Sequence, residues 1–174
     1  MTSTDKPATV PPGYTTVTPW FAVKGVAKFF EFLAEAFGAE EINRVSNPDG
    51  SIGHAETRIG DAIVMSFDID PASPDFPALT RLFVPDASQA AARAVDAGCV
   101  LVTEPTELFW GDKVGRVRDP WGNLWWLQER VAEVDPDEMA QRAADPEHLA
   151  AMKYVQDSAA TELARTRPLV SPAP

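Results

Sequence analysis

The order strand, helix, three strands occurs twice in this chain, and that repetition narrows the folds open to it more than any other feature. In the first pass, residues 14–23 are rich in Thr, Val and aromatics and read as a strand, with Pro19 tolerated at an edge or bulged position. Val26, Phe29, Phe30, Leu33 and Phe37 follow at spacings of three and four, so 25–37 is predicted as an amphipathic helix with Gly38 at its C-terminal end. Residues 41–45, 51–59 and 62–67 read as three short strands joined by the turns Pro48-Asp49-Gly50 and Gly60-Asp61. The second pass has a strand at 79–84, a helix capped by Asp86 and ended by Gly98, and strands at 100–103, 113–118 and 123–128. The turns at Gly60-Asp61 and Pro120-Trp121-Gly122 stand about 60 residues apart, which sets the repeat length. The expected fold class is α+β, with paired βαβββ modules over 14–68 and 78–130, each giving one sheet face to its helix and the other to whatever lies opposite.

Outside the modules, 1–13 and 167–174 are rich in Pro, Ser and Thr without hydrophobic period and read as flexible tails. Residues 131–166 form a helical extension. Asp135-Pro136 starts a short helix, and Asp145-Pro146-Glu147 starts a longer one that carries Leu149, Met152, Val155, Ala159 and Leu163 on one face. That face packs either on its own domain or on a second subunit.

Fifteen basic against 26 acidic residues give a net charge of −11, which repels nucleic acid and anionic lipid. The charge serves solubility or favours a cationic ligand. No apolar run approaches the roughly 18 to 20 residues of a membrane span, and the first residues lack a signal-peptide core, so a cytoplasmic location is expected. Cys99 is the single cysteine, which excludes an intramolecular disulfide and a thiolate cluster; a buried, inert thiol is expected there.

The run Thr18-Pro-Trp-Phe-Ala-Val-Lys24 before a helix ending Ala36-Phe-Gly-Ala39, then Gly53-His-Ala-Glu-Thr-Arg-Ile-Gly60, resembles the glyoxalase/bleomycin-resistance/dioxygenase (vicinal oxygen chelate) superfamily, and within it the PhnB-like branch. Phe109-Trp-Gly-Asp112, Gly115-Arg-Val-Arg-Asp-Pro-Trp-Gly122 and Leu124-Trp-Trp-Leu127 extend the resemblance over 14–130. It implies modules whose strands curl into a cup with the site inside, commonly in a homodimer. It also implies metal ligands of the His, Gln or Glu type on the first and last strands of each module, where a divalent ion polarises substrate oxygens. Aligned on the strand before each helix and on the Asp-Pro-x-Gly turn, those positions hold Thr18, Val64, Leu79 and Trp126. None is a usual metal ligand, so no metal and no other cofactor is expected.

If Thr18 faces the cup, a period of two places Trp20 and Ala22 beside it, Ser66 beside Val64, Arg81 and Phe83 beside Leu79, and Leu124 and Gln128 beside Trp126. Aromatic walls with a few polar groups suit an apolar, aromatic or cationic small molecule; alternatively, Trp20, Phe83 and Trp126 plug the cup as core. His54 and Glu56, two apart on a strand, share a face and form either a base and its orienter or a structural pair. Trp110 either closes over a ligand, with Asp112 meeting a positive group, or anchors its loop. Arg116 and Arg118 share a face and read as structural partners of Glu56 or Asp119. The expected function is metal-independent small-molecule binding of the bleomycin-resistance type. The alternatives are a glyoxalase-like lyase, isomerase or dioxygenase built on His54 and Glu56, the one case that would call for a divalent metal, and a regulatory or assembly module acting through the C-terminal helices.

Overall fold

A computed structural model describes residues 7–165, and the chain divides into two compact units between Phe76 and Pro77. Most of the expected tails, 1–6 and 166–174, lie outside the described residues.

The first unit contains β1 (Trp20–Val23), α1 (Val26–Phe37), β2 (Glu40–Ser46), β3 (Ile52–Ile59) and β4 (Ala62–Asp68). Its sheet has the order β1-β4-β3-β2, with β1 parallel to β4 and the other pairs antiparallel. A parallel pair needs a crossover, and α1 supplies it across one face of the sheet. Phe21, Val26, Phe29 and Leu33 are fully buried there, with the Phe21 and Phe29 rings 5.3 Å apart. The first turn of α1 has no side-chain cap of its own. Asp68, at the end of β4, takes that role: one carboxylate oxygen accepts the N–H groups of Gly25 (2.7 Å) and Val26 (2.9 Å), and the other accepts that of Ile52 (2.7 Å). The helix stops at Gly38, whose φ of 66° lets its N–H and that of Ala39 close back on Ala34 and Leu33.

The strand predicted over 14–23 shrinks to four residues. The Tyr14 N–H turns back to the Pro11 carbonyl (3.1 Å), and Pro19, lacking an N–H, offers the sheet only its carbonyl, taken by Met65 (2.9 Å). Pro19 thus stands just outside an edge strand, as its chemistry requires.

The second unit repeats the plan with β5 (Leu79–Phe83), α2 (Ala87–Asp96), β6 (Val100–Glu107), β7 (Asp112–Arg118) and β8 (Leu124–Arg130), in the order β5-β8-β7-β6. Strand β5 is parallel to β8, and α2 presents buried Ala87, Ala90, Ala91 and Ala94. Asp86 accepts the Gln89 N–H (2.9 Å), and Glu129 of β8 accepts that of Ala87 (2.9 Å). In both units a carboxylate on the last strand therefore holds the start of the crossover helix. Strand β6 continues past its predicted end through Pro105, where the ladder slips register.

Beyond the repeat lie α3 (Pro136–Ala144), capped by Asp135, and α4 (Pro146–Arg165). Helix α4 lies on the sheet face opposite α2: Val155 packs with Val114 and Trp126, which alternate along their strands with the helix-side Val117, Trp125 and Leu127. The extension thus packs on its own unit.

The turn before β8 is held by Asp119, 1% exposed, which accepts four hydrogen bonds of 2.8–2.9 Å, from the N–H groups of Trp121 and Asn123, the Asn123 amide and the Trp125 indole. Burial pushes its carboxyl pKa up, and the donors from Trp125 and Asn123 oppose that shift. Asp119→Ala leaves those donors without an acceptor and is expected to cost about 3 kcal/mol or more, against about 1–2 kcal/mol for Asp68→Ala at the less buried cap. Urea unfolding of both variants measures this, and a smaller loss for Asp119→Ala would contradict the assignment.

Candidate functional site

The sheet of the first unit has a face that α1 does not cover. Register decides what stands on it. Counting outward from the Gly60-Asp61 turn pairs Ile59 with Ala62 and hence Glu56 with Met65, and Met65 in turn lies beside Trp20 across the parallel pair. Glu56, Met65 and Trp20 form one row on the open face, and His54 shares their face two residues along β3. Val64 and Ser66 lie in the rows of Thr57 and of Ala55 with Phe21, on the helix side, and are 3% and 0% exposed. The expectation that Val64 and Ser66 line the site is therefore corrected: a slip of one residue exchanged the faces of β4, and Met65 and Phe67 take their places.

Glu56 is the centre of the polar network. Its Oε1 lies 2.9 Å from His54 Nε2, and the Tyr14 hydroxyl also hydrogen-bonds to it. The His54 bond first, and the Tyr14 bond second, hold the Glu56 carboxyl below its ordinary value of 4.5, while the carboxylate raises the Tyr14 phenol. At neutral pH Glu56 is anionic and Tyr14 is a donor. The Trp20 ring lies 5.9 Å from His54 and meets Phe67 edge-on at 5.6 Å, yet Trp20 remains 51% exposed. A hollow of about 440 Å³ is lined by Tyr14, Thr18, Met65 and the preceding segment Thr9, Val10 and Pro11; it shares Tyr14 and Met65 with this face, and Trp20, His54 and Glu56 do not line it. That volume falls within the range of small-molecule pockets. Part of the N-terminal stretch read as a tail thus helps wall the site.

In the second unit, Leu79, Arg81, Phe83, Trp126 and Gln128 do share a face, as the period of two requires. Leu79 and Phe83 are 59% and 66% exposed. Asp112 is engaged within the fold: its Oδ2 accepts the Trp110 indole N–H (3.0 Å) and the Gln128 side-chain amide, and Trp110 packs against the Leu108, Val114 and Val155 cluster. The loop is anchored. A side chain at Gly111 would run into the Ala132 carbonyl 2.4 Å away, which is why glycine stands there. Arg116 and Arg118 turn to α4, not to Asp119: Arg116 donates to the Val155 carbonyl (2.8 Å), and Arg118 Nε stands 2.6 Å from Glu162. Burial, with Asp119 nearby, pushes the Cys99 thiol up to about 12, so it is protonated and unreactive at neutral pH.

The divalent metal implied by the fold does not fit this donor set. With register corrected, the four family positions carry Thr18, Met65, Leu79 and Trp126, which together offer one hydroxyl and one thioether. His54 and Glu56 find no third ligand: no group of three or more His, Cys, Asp or Glu side chains among the described residues could hold a metal ion.

Tyr14, Met65 and Phe67 were missed by the sequence reading. Met65 and Phe67 were recoverable from the two-residue hairpin; nothing local marked Tyr14, which reaches Glu56 only through the turns at 14–19.

Known proteins resemble this chain in sequence or in fold. An uncharacterized protein of Mycobacterium bovis is 35% identical over 134 residues, covering 71% of this chain and 88% of that protein. Among solved structures, TioX from Micromonospora sp. ML1 superposes with a TM-score of 0.57 at 23% identity, covering 67% of this chain and 98% of that one. A gene product of Arabidopsis thaliana gives a TM-score of 0.53 at 27% identity over 66% and 98% of the two chains. Residues 14–127 match the Glyoxalase/Bleomycin resistance protein/Dioxygenase superfamily, and with the twice-repeated βαβββ unit described above the chain belongs to that superfamily.

Proposed function

We propose that the protein is a metal-independent small-molecule binder of the bleomycin-resistance type, holding a flat, cationic aromatic ligand on the open face of the first unit. The observation that carries this reading is the pairing of a half-exposed Trp20 with an ionised Glu56 that His54 and Tyr14 hold in place. An indole face attracts a cation and stacks on a flat ring, and a fixed carboxylate on the same face adds charge and orientation. The net charge of −11 draws the same class of ligand. Homodimerisation in the cytoplasm belongs to the proposal. Its support is edge strand β2, which leaves Ile42 and Val45 42% and 53% exposed, and the described residues contain no helix long and apolar enough to cross a membrane.

The second reading is an acid–base enzyme, favoured by the 2.9 Å contact of His54 with Glu56. The two readings separate cleanly. His54→Ala should abolish turnover under the enzyme reading, whereas under the binder reading it costs only a few-fold in ligand affinity, since Tyr14 still holds Glu56.

With a flat aromatic cation such as ethidium as ligand, titration should quench tryptophan fluorescence, and Trp20→Ala should weaken binding by about tenfold through loss of the cation–π contact. Unchanged affinity in that variant would refute the site. The pH response follows from Glu56. Its pKa is depressed in the folded protein, so the charge that attracts the cation is complete above 4.5 and is lost only as pH falls through the lower folded value. Affinity should thus stay level from pH 7 down to 5 and fall only at pH below the ordinary Glu value of 4.5. In Glu56→Gln it should be low and flat throughout, and a pH dependence that persists in that variant would refute the assignment to Glu56.

A further inference from the structure

One row of the second unit's sheet, on the face under α4, carries Arg81, Trp126, Arg116 and Thr103 side by side across its four strands. Both guanidinium groups lie over the same indole, Arg116 at 3.7 Å and Arg81 at 4.8 Å from the ring centroid. Arg118 stands one row away. Arg116 is only 2% exposed, and burial, then the Arg81 charge, pull its pKa down to about 10, so it stays charged at neutral pH. The face is rich in donors and short of acceptors. Arg116 Nε and Trp126 Nε1 are buried with no hydrogen-bond partner, while Arg118 Nε and Glu162 Oε1 face each other at 2.6 Å as an ion pair whose angle is poor for a hydrogen bond.

Within the sheet Thr103 Oγ1 accepts from Arg116 Nη1 (3.1 Å), and α4 adds the Val155 carbonyl on Arg116, the Ser158 hydroxyl bonded to Thr103, and the Glu162 carboxylate beside Arg118. The helix is held largely by polar contacts, the Tyr154 hydroxyl also accepting the Glu104 N–H (2.9 Å). Val155 and Glu162 are its only buried residues, Leu149 and Leu163 are more than half exposed, and a hollow of about 70 Å³ remains between Glu162, Leu163 and the sheet. An acidic side chain, 6% exposed, is thus drawn into a cationic face beside a small hollow.

We propose that this face is a binding site for a small carboxylate, held closed by α4, whose Glu162 carboxylate and Val155 carbonyl stand where the ligand's oxygens bind. Arg116 and Arg118 supply the forked donors for a planar two-oxygen anion, Trp126 adds its indole N–H, and α4 must lift for the ligand to enter. The site lies on the second unit and takes a ligand of opposite charge to the one proposed for the first.

The test adds benzoate, or inorganic phosphate, to the full-length protein and follows hydrogen–deuterium exchange across 146–165 together with tryptophan fluorescence. Benzoate should accelerate exchange in α4 and perturb Trp126. Glu162→Gln weakens the competing internal anion, so it should raise apparent benzoate affinity by about tenfold, and adding the exposed Arg81→Gln should reverse much of that gain. If neither anion alters α4 exchange in the wild type or in Glu162→Gln, the proposal is overturned. A response to phosphate with none to benzoate overturns the carboxylate assignment. Faster α4 exchange in Glu162→Gln without tighter benzoate binding shows a merely structural ion pair and overturns it as well.

Discussion

A four-stranded sheet has two faces, and one crossover helix covers only one of them. That constraint shapes both units. On the covered faces the packing is conventional, with Phe21, Phe29 and Leu33 in the first unit and Trp125, Leu127 and the alanine face of α2 in the second. The opposite faces are where the two copies of the repeat part ways. The first is left open, with Trp20 half exposed beside an anchored carboxylate, and the second is roofed by α4. The same βαβββ plan thus presents two chemistries because different segments meet its second face.

The electrostatics of the two faces are opposite. Glu56 is the focus of one, held anionic by donors from His54 and Tyr14. The other gathers arginines around Trp126 in a chain whose net charge is −11. A buried guanidinium persists only where its desolvation is offset; for Arg116 the indole face, the Val155 carbonyl and the Thr103 hydroxyl provide that offset, and its Nε is left without a partner. Buried polar groups are nearly always paired in folded proteins; this face leaves Arg116 Nε and Trp126 Nε1 without partners, as the helix side of the first unit leaves the Thr57 and Ser66 hydroxyls.

Much of the architecture was legible in the residues. The spacing of Val26, Phe29, Phe30 and Leu33, the cap at Asp86, the stops at Gly38 and Gly98, and the Asp-Pro starts of α3 and α4 each reflect a local preference strong enough to survive in the fold. The face of β4 was misjudged because residues 62–67 are apolar nearly throughout, so alternation could not show which set pointed inward. Only the hairpin register, propagated from a two-residue turn, separates Val64 and Ser66 from Met65 and Phe67. The pairing of His54 with Glu56 was visible as a spacing of two; its third member, Tyr14, was not, because the contact crosses 42 residues of chain.

The sequence by itself determined the repeat, the elements within it, the family and the lack of metal-ligating side chains at the family's positions, since these follow from periodicity, turn chemistry and residue type, all local properties. Tertiary structure alone decided which way β4 faces, that Asp112 is spent on Trp110 and Gln128, and that α4 lies over Arg116 with Glu162 beside Arg118. Those are contacts between segments far apart in the chain. Their geometry is set by how strands align and how helices settle on them, which no local pattern of residues encodes.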